Sequence, residues 1–263
     1  MYAVKSSNAP LDSFYEKCFN SLPKIHLIEA PPIYAFRQRE YLYRLEINCD
    51  FRLICDADIV ALEKPPELNF NIQAMAMYGG SKYDEFEWGR ICKFLNIDFP
   101  KLTILKNPDR KNNFKGYTYA FEYRKYINKK VDENVKLFPT FNNGVIFLRN
   151  DKCTAVANEW RRILTLYRLY VKERDGISIQ GGGQDVIGLA INSVCDSWEI
   201  LPNSMHYLVI SKRDLENEII CTKKEPALLH YSDCRDFNYW FPKIIALAKE
   251  AITANFSYNQ PTI

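Results

Sequence analysis

Two acidic residues separated by one alanine follow directly on an apolar run of the sequence. The run Phe51–Cys55 is typical of a buried strand, and Asp56 and Asp58 come immediately after it. Two carboxylates this close together repel each other. A hard divalent cation such as Mn²⁺ or Mg²⁺ relieves that repulsion, because it prefers oxygen ligands. The pattern therefore indicates a metal site, with the acidic residues of an ordinary surface turn as the alternative.

The elements around this motif alternate between short strands and amphipathic helices. Such alternation is typical of an α/β protein with a mostly parallel central sheet, helices on both faces, and ligands at the carboxyl ends of the strands. Over residues 96–139 the sequence predicts a small part made of loops and short antiparallel strands. Hydrophobic periodicity predicts strands over residues 2–5, 25–28, 51–55, 72–78, 144–148 and 227–230, and helices over residues 11–22, 35–47, 85–95, 154–171 and 239–252. A further helix is opened by the glycines 181–183 and runs to about residue 194.

Length and composition fit one α/β domain or two small ones, and since no linker divides the chain, we expect a single domain over residues 1–263. The chain has 47% hydrophobic residues, and its 35 basic and 32 acidic residues leave a net charge of +3, too little for a nucleic-acid-binding surface. No apolar stretch is long enough to cross a membrane, and the first residues lack the pattern of a signal peptide. The eight cysteines form no Cys-x-x-Cys pair. We therefore expect a soluble, cytoplasmic protein with reduced thiols.

Residues 51–60, which read FRLICDADIV, resemble the DxD segment of GT-A fold glycosyltransferases. In those enzymes the aspartates hold a divalent metal against the diphosphate of a nucleotide sugar. The resemblance implies a metal-dependent transferase that moves a hexosyl or pentosyl unit from a nucleotide-diphosphate sugar, with UDP-sugars first among the donors. The acceptor would be a glycan or another hydroxyl compound, and the cofactor Mn²⁺ or Mg²⁺.

Four other segments resemble the glycosyltransferase 8 family in order and spacing. They are Tyr43-Arg44-Leu45, residues 141–148 (FNNGVIFL), Gly183-Gln184-Asp185, and residues 228–231 (LLHY). Two departures are visible: Gly183 stands where that family usually has an aspartate, and the residues after His230 differ from its pattern. Together with the DxD segment, the resemblance covers about residues 2–240.

The resemblance also implies roles for particular residues. The implied metal ligands are Asp56, Asp58 and His230. The implied donor-binding residues are Ala3, Val4, Lys5, Arg44, Asp56, Ala57, Asn142 and Asn143.

Two residues at the start of the helix opened by the glycines 181–183 are candidates for the catalytic step. Residues 182–185 also resemble the Gly-Glu-Asp segment of inverting GT-A enzymes, whose acid takes the proton of the acceptor hydroxyl, and Asp185 would then be the base. A retaining reaction would instead need a group on the β-face of the donor sugar, where Gln184 or Asn143 could lie. The sequence leaves both courses open.

Each of these residues has a structural alternative. Asp185 could cap its helix, His230 could be a hydrogen-bonded core residue, and Arg44 could be a surface charge. Asn142 and Asn143 could be turn formers.

Two alternative functions for the whole chain also stay open. One is a nucleotide-sugar-binding module without catalytic activity. The other is a haloacid dehalogenase-like phosphatase with Asp56 as its nucleophile.

Overall fold

A computed structural model describes thirteen parts of the chain, which carry eleven strands and four helices. The described residues are 2–6, 26–31, 38–56, 59–61, 71–78, 85–100, 103–104, 136–137, 140–175, 183–201, 207–209, 228–231 and 246. The strands are β1 Tyr2–Ser6, β2 His26–Ala30, β3 Phe51–Cys55, β4 Ile59–Ala61, β5 Ala74–Tyr78, β6 Thr103–Ile104, β7 Lys136–Leu137, β8 Phe141–Arg149, β9 Trp198–Ile200, β10 Tyr207–Val209 and β11 Leu228–Tyr231. The helices are α1 Gln38–Arg44, α2 Glu85–Leu95, α3 Asn150–Asp175 and α4 Gly183–Val194.

The mixed α/β class predicted from the sequence is confirmed, and several elements lie where the periodicity puts them. β3 and α2 have the predicted bounds, and α4 begins at Gly183. The short strands β6 and β7 pair antiparallel within the region predicted to hold such strands. Three short strands were not predicted: β4, β9 and β10. With three residues each, they are too short to show a periodic pattern.

The largest described sheet has the order β3-β8-β5-β9. β8 runs antiparallel to both of its neighbours, while β5 and β9 are parallel. The prediction of mostly parallel pairing is therefore wrong for this sheet. The physical reason is that β8 lies between β3 and β5 and runs opposite to them, a placement that its own sequence does not reveal because one strand's periodicity carries no direction.

Strand β8 is buried on both faces. Ile146 and Leu148 belong to the larger core cluster, whereas Val145 and Phe147 belong to a smaller one with Leu228. This division follows from the alternation of side chains along a strand. β8 is therefore the central element between two packed layers. The larger core includes the fully buried side chains Trp88, Tyr43, Tyr167, Phe141, Ile91, Leu95, Ile163, Ile187, Leu189 and Ile191.

Helices α1, α3 and α4 pack against one another on one side of this sheet. α3 contacts both α1 and α4, and α4 also contacts β8. α3 has 26 residues, and its acidic first turn and basic last turn suit the helix dipole. It extends well beyond the residues 154–171 for which periodicity predicted a helix. No helix within the described ranges is long and apolar enough to cross a membrane.

Helix α1 is shorter than predicted. It ends at Arg44, and residues 45–48 continue without helical structure, whereas periodicity predicted a helix as far as residue 47. The helices predicted over residues 11–22 and 239–252 lie outside the described residues, apart from Ala246, which is helical. The prediction of one domain over residues 1–263 stays a prediction.

Candidate functional site

The carboxyl end of β3 meets the middle of β8. The backbone N–H of Asp56 donates to the carbonyl of Gly144 at 2.8 Å, one step beyond the last register pair, Cys55 with Val145. Asp56 therefore leaves the sheet at a fixed place, with its side chain 35% exposed. This position at the end of a strand is the one predicted from the sequence.

A bulge in β8 shapes this place. Ala76 of β5 pairs with Ile146, but the next residue, Met77, pairs with Asn142, so the residues between them on β8 have no partner on β5. The side-chain oxygen Oδ1 of Asn142 accepts a hydrogen bond from the backbone N–H of Gly144 at 2.8 Å. The amide of Asn142 thereby stabilises the bulge, a feature that often re-aims side chains beside functional sites.

His230 packs against Gly144. A side-chain carbon on Gly144 would collide with Cε1 of the imidazole and lie 2.6 Å from its Nδ1. His230 is 4% exposed and pairs with Ile59, which follows Asp58 in the chain. The absence of a side chain at position 144 therefore lets the predicted ligand His230 come close to the backbone beside Asp56.

Arg39, in helix α1, forms an ion pair with Asp56. Its Nη2 donates to Oδ1 of the carboxylate, and the arginine side chain is 16% exposed. Its positive charge also acts on the Cys55 thiol and the Tyr43 phenol. Burial raises the pKa of Cys55 to about 11, and Arg39 opposes this rise because it favours the thiolate. Burial likewise raises the pKa of Tyr43, again against the effect of Arg39.

The structure does not place Arg44 beside Asp56. The guanidinium of Arg44 donates to Glu40 through Nε at 3.1 Å and Nη2 at 2.9 Å. Arg44 also lines a cavity of about 690 Å³, together with Arg52. Since Arg52 belongs to the amino-terminal half of β3, this cavity lies toward the opposite end of the strand from Asp56. Arg39, rather than Arg44, therefore contacts the carboxylate of Asp56, and the donor-binding role of Arg44 stays a prediction.

The start of helix α4 lies near the bulge of β8. A side-chain carbon on Gly183 would lie 3.9 Å from Nδ2 of Asn143 and 3.2 Å from the indole ring of Trp160. The indole N–H of Trp160 donates to the carbonyl of Gly183 at 3.1 Å. Gln184 and Asp185 follow in the first helical turn, and their side chains lie outside the described part of the structure. Asn143 is 8% exposed. Its closeness to Gly183 brings it near the chain segment that carries both catalytic candidates.

The remaining predicted residues are described only in part. Ala3, Val4 and Lys5 lie in β1, which pairs parallel with β2 and contacts α1, the helix that carries Arg39. Ala57 and Asp58 lie outside the described residues.

The described donor groups at this place are the carboxylate of Asp56 and the imidazole of His230. Oxygen and imidazole nitrogen donors are a suitable set for Mn²⁺, whereas Mg²⁺ prefers oxygen alone. The chemistry of these residues therefore fits a divalent cation. Among the side chains that the structure describes, no three from His, Cys, Asp and Glu cluster around one point.

The sequence reasoning missed two residues of this place, Arg39 and Gly144. Arg39 lies 17 residues before Asp56, inside a helix with several other charges, so spacing alone could not select it. Gly144 was noted only as part of a strand. The asparagines before it were a signal, because Asn-Asn-Gly within an apolar strand indicates a bulge or a close backbone approach.

Comparison with solved structures finds remote similarity to glycosyltransferases. The galactosyltransferase LgtC, crystallised with donor and acceptor sugar analogs, is 15% identical over 87% of this chain and 76% of its own, with a TM-score of 0.40. GlyE of Streptococcus pneumoniae is 11% identical over 97% of this chain, with a TM-score of 0.43, and this chain spans 56% of its length. Mouse xyloside xylosyltransferase 1 is 8% identical over 89% of this chain and 83% of its own, with a TM-score of 0.37.

Comparison of the sequence alone gives no match. No family model and no curated protein is similar to the chain.

Proposed function

We propose that the chain is a metal-dependent glycosyltransferase of the GT-A fold, closest in pattern to the glycosyltransferase 8 family. It moves a hexosyl or pentosyl unit from a nucleotide-diphosphate sugar, first of all a UDP-sugar, to a glycan or another hydroxyl acceptor. One observation carries the proposal. The backbone of Asp56 and the imidazole of His230 both contact Gly144 at the carboxyl end of β3, and Arg39 donates to the carboxylate of Asp56.

A divalent cation, Mn²⁺ or Mg²⁺, would be held by Asp56 and His230, with Asp58 as the third ligand implied by the sequence. When bound, it would supply positive charge to the diphosphate leaving group. Gly144 supports this arrangement, because its lack of a side chain leaves room for the imidazole beside Asp56.

Arg39 joins the donor-binding residues that the resemblance implies, among them Arg44. Its guanidinium lies at the exposed carboxylate of Asp56, at the edge of the sheet. The planar fork of an arginine matches phosphate oxygens and sugar hydroxyls, so Arg39 would bind and orient the donor. Ala3, Val4 and Lys5 would lie toward the nucleotide, since their strand contacts the same helix.

The proton of the acceptor hydroxyl would be taken at the start of α4. Asp185 would act as the base if the reaction inverts the sugar configuration. Gln184 or Asn143 would face the donor sugar if the configuration is retained. The proximity of Asn143 to Gly183 supports a common site for the bulge of β8 and this helix start.

Thermal unfolding tests this proposal directly. UDP and GDP are each added with Mn²⁺, with Mg²⁺, and with EDTA, to the wild type and to Asp56→Asn. We expect one nucleotide to raise the Tm only with a divalent cation, and the rise to disappear in Asp56→Asn, because a ligand stabilises the state that binds it. Nucleotide binding that needs neither the metal nor Asp56 would refute the metal assignment.

A second assay separates this function from the other functions considered. UDP- and GDP-sugars are incubated with the protein, and release of the nucleoside diphosphate is followed over time. Slow release from one sugar nucleotide indicates a transferase, whereas binding without release indicates a module without catalytic activity. Release of phosphate from small phosphoesters would instead support the phosphatase.

A further inference from the structure

Strand β3 carries one charged residue at a buried position. Burial alternates along the strand: Arg52 and Ile54 are buried on one face, while Leu53, 42% exposed, lies on the other. Arg52 is only 9% exposed. A buried charge is costly unless hydrogen bonds satisfy it, so the partners of Arg52 explain why the position tolerates an arginine.

All the described partners of Arg52 lie at the carboxyl end of helix α1 and at the start of α3. Nη1 donates to the carbonyls of Leu42 at 3.1 Å and Tyr43 at 3.3 Å, and Nη2 donates to that of Leu45. Nε donates to Oδ1 of Asn150 at 2.6 Å. The last carbonyls of a helix have no partner within the helix, and a cation there also suits the dipole. Arg52 therefore caps α1 and accounts for its end at Arg44.

Helix α1 depends on such contacts for its position. Its described part has seven residues, and helices shorter than about 12 residues are marginal on their own in water. Other described ties join α1 to α3: Glu40, 3% exposed, accepts from Arg161 at 2.7 Å, and the rings of Tyr43 and Trp160 lie 5.8 Å apart. The position of α1 is thus decided by tertiary contacts.

The two ends of α1 contact β3 at two different positions along the strand. Arg39, near the start of α1, reaches Asp56 after the end of the strand, and the carbonyls at the end of α1 reach Arg52 four residues earlier. Four residues of a strand span about 13 Å and six residues of a helix about 9 Å, which are similar lengths, so the two contacts lie at opposite ends of α1. The contact of Arg52 with the end of α1 therefore also sets the position of Arg39 at the other end.

We propose that Arg52 is the positioning residue of the candidate site: its guanidinium anchors the end of α1 so that Arg39, at the other end, meets Asp56. Arg52 itself contacts no ligand and acts through Arg39. The inference deepens the proposed function, on which its relevance to donor binding rests. The contact between Arg39 and Asp56 can also be measured without any ligand.

The first test observes Arg39 directly by NMR. The Nε–Hε signal of Arg39 is identified by its loss in Arg39→Ala and moves in Asp56→Asn, because the carboxylate partner is removed. We expect Arg52→Met to move the signal in the same direction, since methionine keeps the apolar stem but cannot hold the carbonyls of α1. Arg52→Lys, which has one ammonium in place of the fork, gives a second variant in case Arg52→Met does not fold.

Two control variants separate positioning from a general loss of stability. Arg149→Met changes an arginine on the neighbouring strand that pairs with the exposed Asp151 at 2.6 Å. Ile91→Val loosens the same buried core at α2. Both should leave the Arg39 signal at its wild-type position. An unchanged Arg39 signal in folded Arg52→Met and Arg52→Lys would overturn the inference, whatever the function of the protein.

The second test measures donor-side binding by calorimetry, with UDP or GDP in the presence of Mn²⁺. If the wild type binds neither, the proposed function fails while the NMR test still decides the role of Arg52. If it binds one, Arg52→Met should weaken binding about tenfold, and Arg39→Ala should weaken it similarly. The double variant should bind no more weakly than Arg39→Ala alone. Fully additive losses would show that Arg52 does not act through Arg39.

Discussion

The two ends of strand β3 treat charge in opposite ways. At the amino end, the guanidinium of Arg52 is buried and shared among three backbone carbonyls and the amide of Asn150. At the carboxyl end, the carboxylate of Asp56 is 35% exposed and meets the single side chain of Arg39. One end has the hydrogen bonding of a structural tie, with four bonds from the guanidinium. At the other end the charge is accessible, and Gly144, which the backbone of Asp56 contacts, also packs against the imidazole of His230.

This contrast shows that burial and hydrogen bonding, rather than charge itself, separate structural from functional ionic groups. A buried arginine with most of its donors bonded to the backbone and to Asn150 acts first as a structural group. A half-exposed carboxylate beside an arginine can exchange or add partners at small cost, because exposed ion pairs contribute only about 0–1 kcal/mol.

The largest expected effect comes from removing the charge at the carboxyl end. On the proposed function, Asp56→Asn should lower the rate of glycosyl transfer about 10²–10³-fold, because the diphosphate leaving group would lose the stabilisation that the proposed metal supplies. Stability should change by less than about 1 kcal/mol, since the pair with Arg39 is partly exposed. The measurement is release of nucleoside diphosphate at saturating metal, with urea unfolding in parallel.

The matched control is the aspartate at the other end of the same strand. Asp50 is exposed and immediately precedes β3. Asp50→Asn should keep wild-type turnover. Equal losses of activity in both variants would remove the distinction between the two ends.

A smaller effect, now on stability, is expected where β8 approaches His230. Gly144→Ala should destabilise the protein by about 1–3 kcal/mol, because the new methyl group has no room beside the imidazole and the amide of Asn142. Gly89, inside α2, is the matched control, since nothing lies within 4 Å of a side-chain carbon added there. Gly89→Ala should instead stabilise by about 0.5–1 kcal/mol. Urea unfolding measures both, and the same sign for the two variants would contradict the close approach at Gly144.

The smallest effect is a shift in thiol reactivity at the two ends. Burial raises the pKa of Cys55 to about 11 and that of Cys153 to about 12; Arg39 opposes the first rise and Arg52 the second. Both thiols are therefore protonated at pH 8, and alkylation should become faster as pH rises toward these values. Arg39→Ala should raise the pKa of Cys55 further and leave Cys153 unchanged, because a lost positive charge disfavours the thiolate.

Arg52→Met should raise the pKa of Cys153, and it should raise that of Cys55 as well if Arg52 positions Arg39. Mass spectrometry of iodoacetamide-treated protein across a pH series measures both thiols. If neither Arg39→Ala nor Arg52→Met changes the alkylation of Cys55, Arg39 does not lie near the carboxyl end of β3.

The sequence by itself determined the elements whose patterns are local. The apolar run of β3, the amphipathic stripe of α2 and the start of α4 at Gly183 were all predicted, because side-chain periodicity follows directly from helix and strand geometry. The placement of Asp56 at the end of a buried strand followed from the same local reading. The α/β class came from the order of these elements.

Only the tertiary structure decided what depends on distant partners. The antiparallel placement of β8, the early end of α1 and the contact of Arg39 with Asp56 were all absent from the predictions. Each depends on a contact between separate elements: β8 pairs with β3 and β5, Arg52 of β3 donates to carbonyls at the end of α1, and Arg39 of α1 meets Asp56 after β3. Periodicity records which face of an element is buried. It carries no information about which distant group will satisfy a buried arginine, and that pairing fixes the helix beside the site.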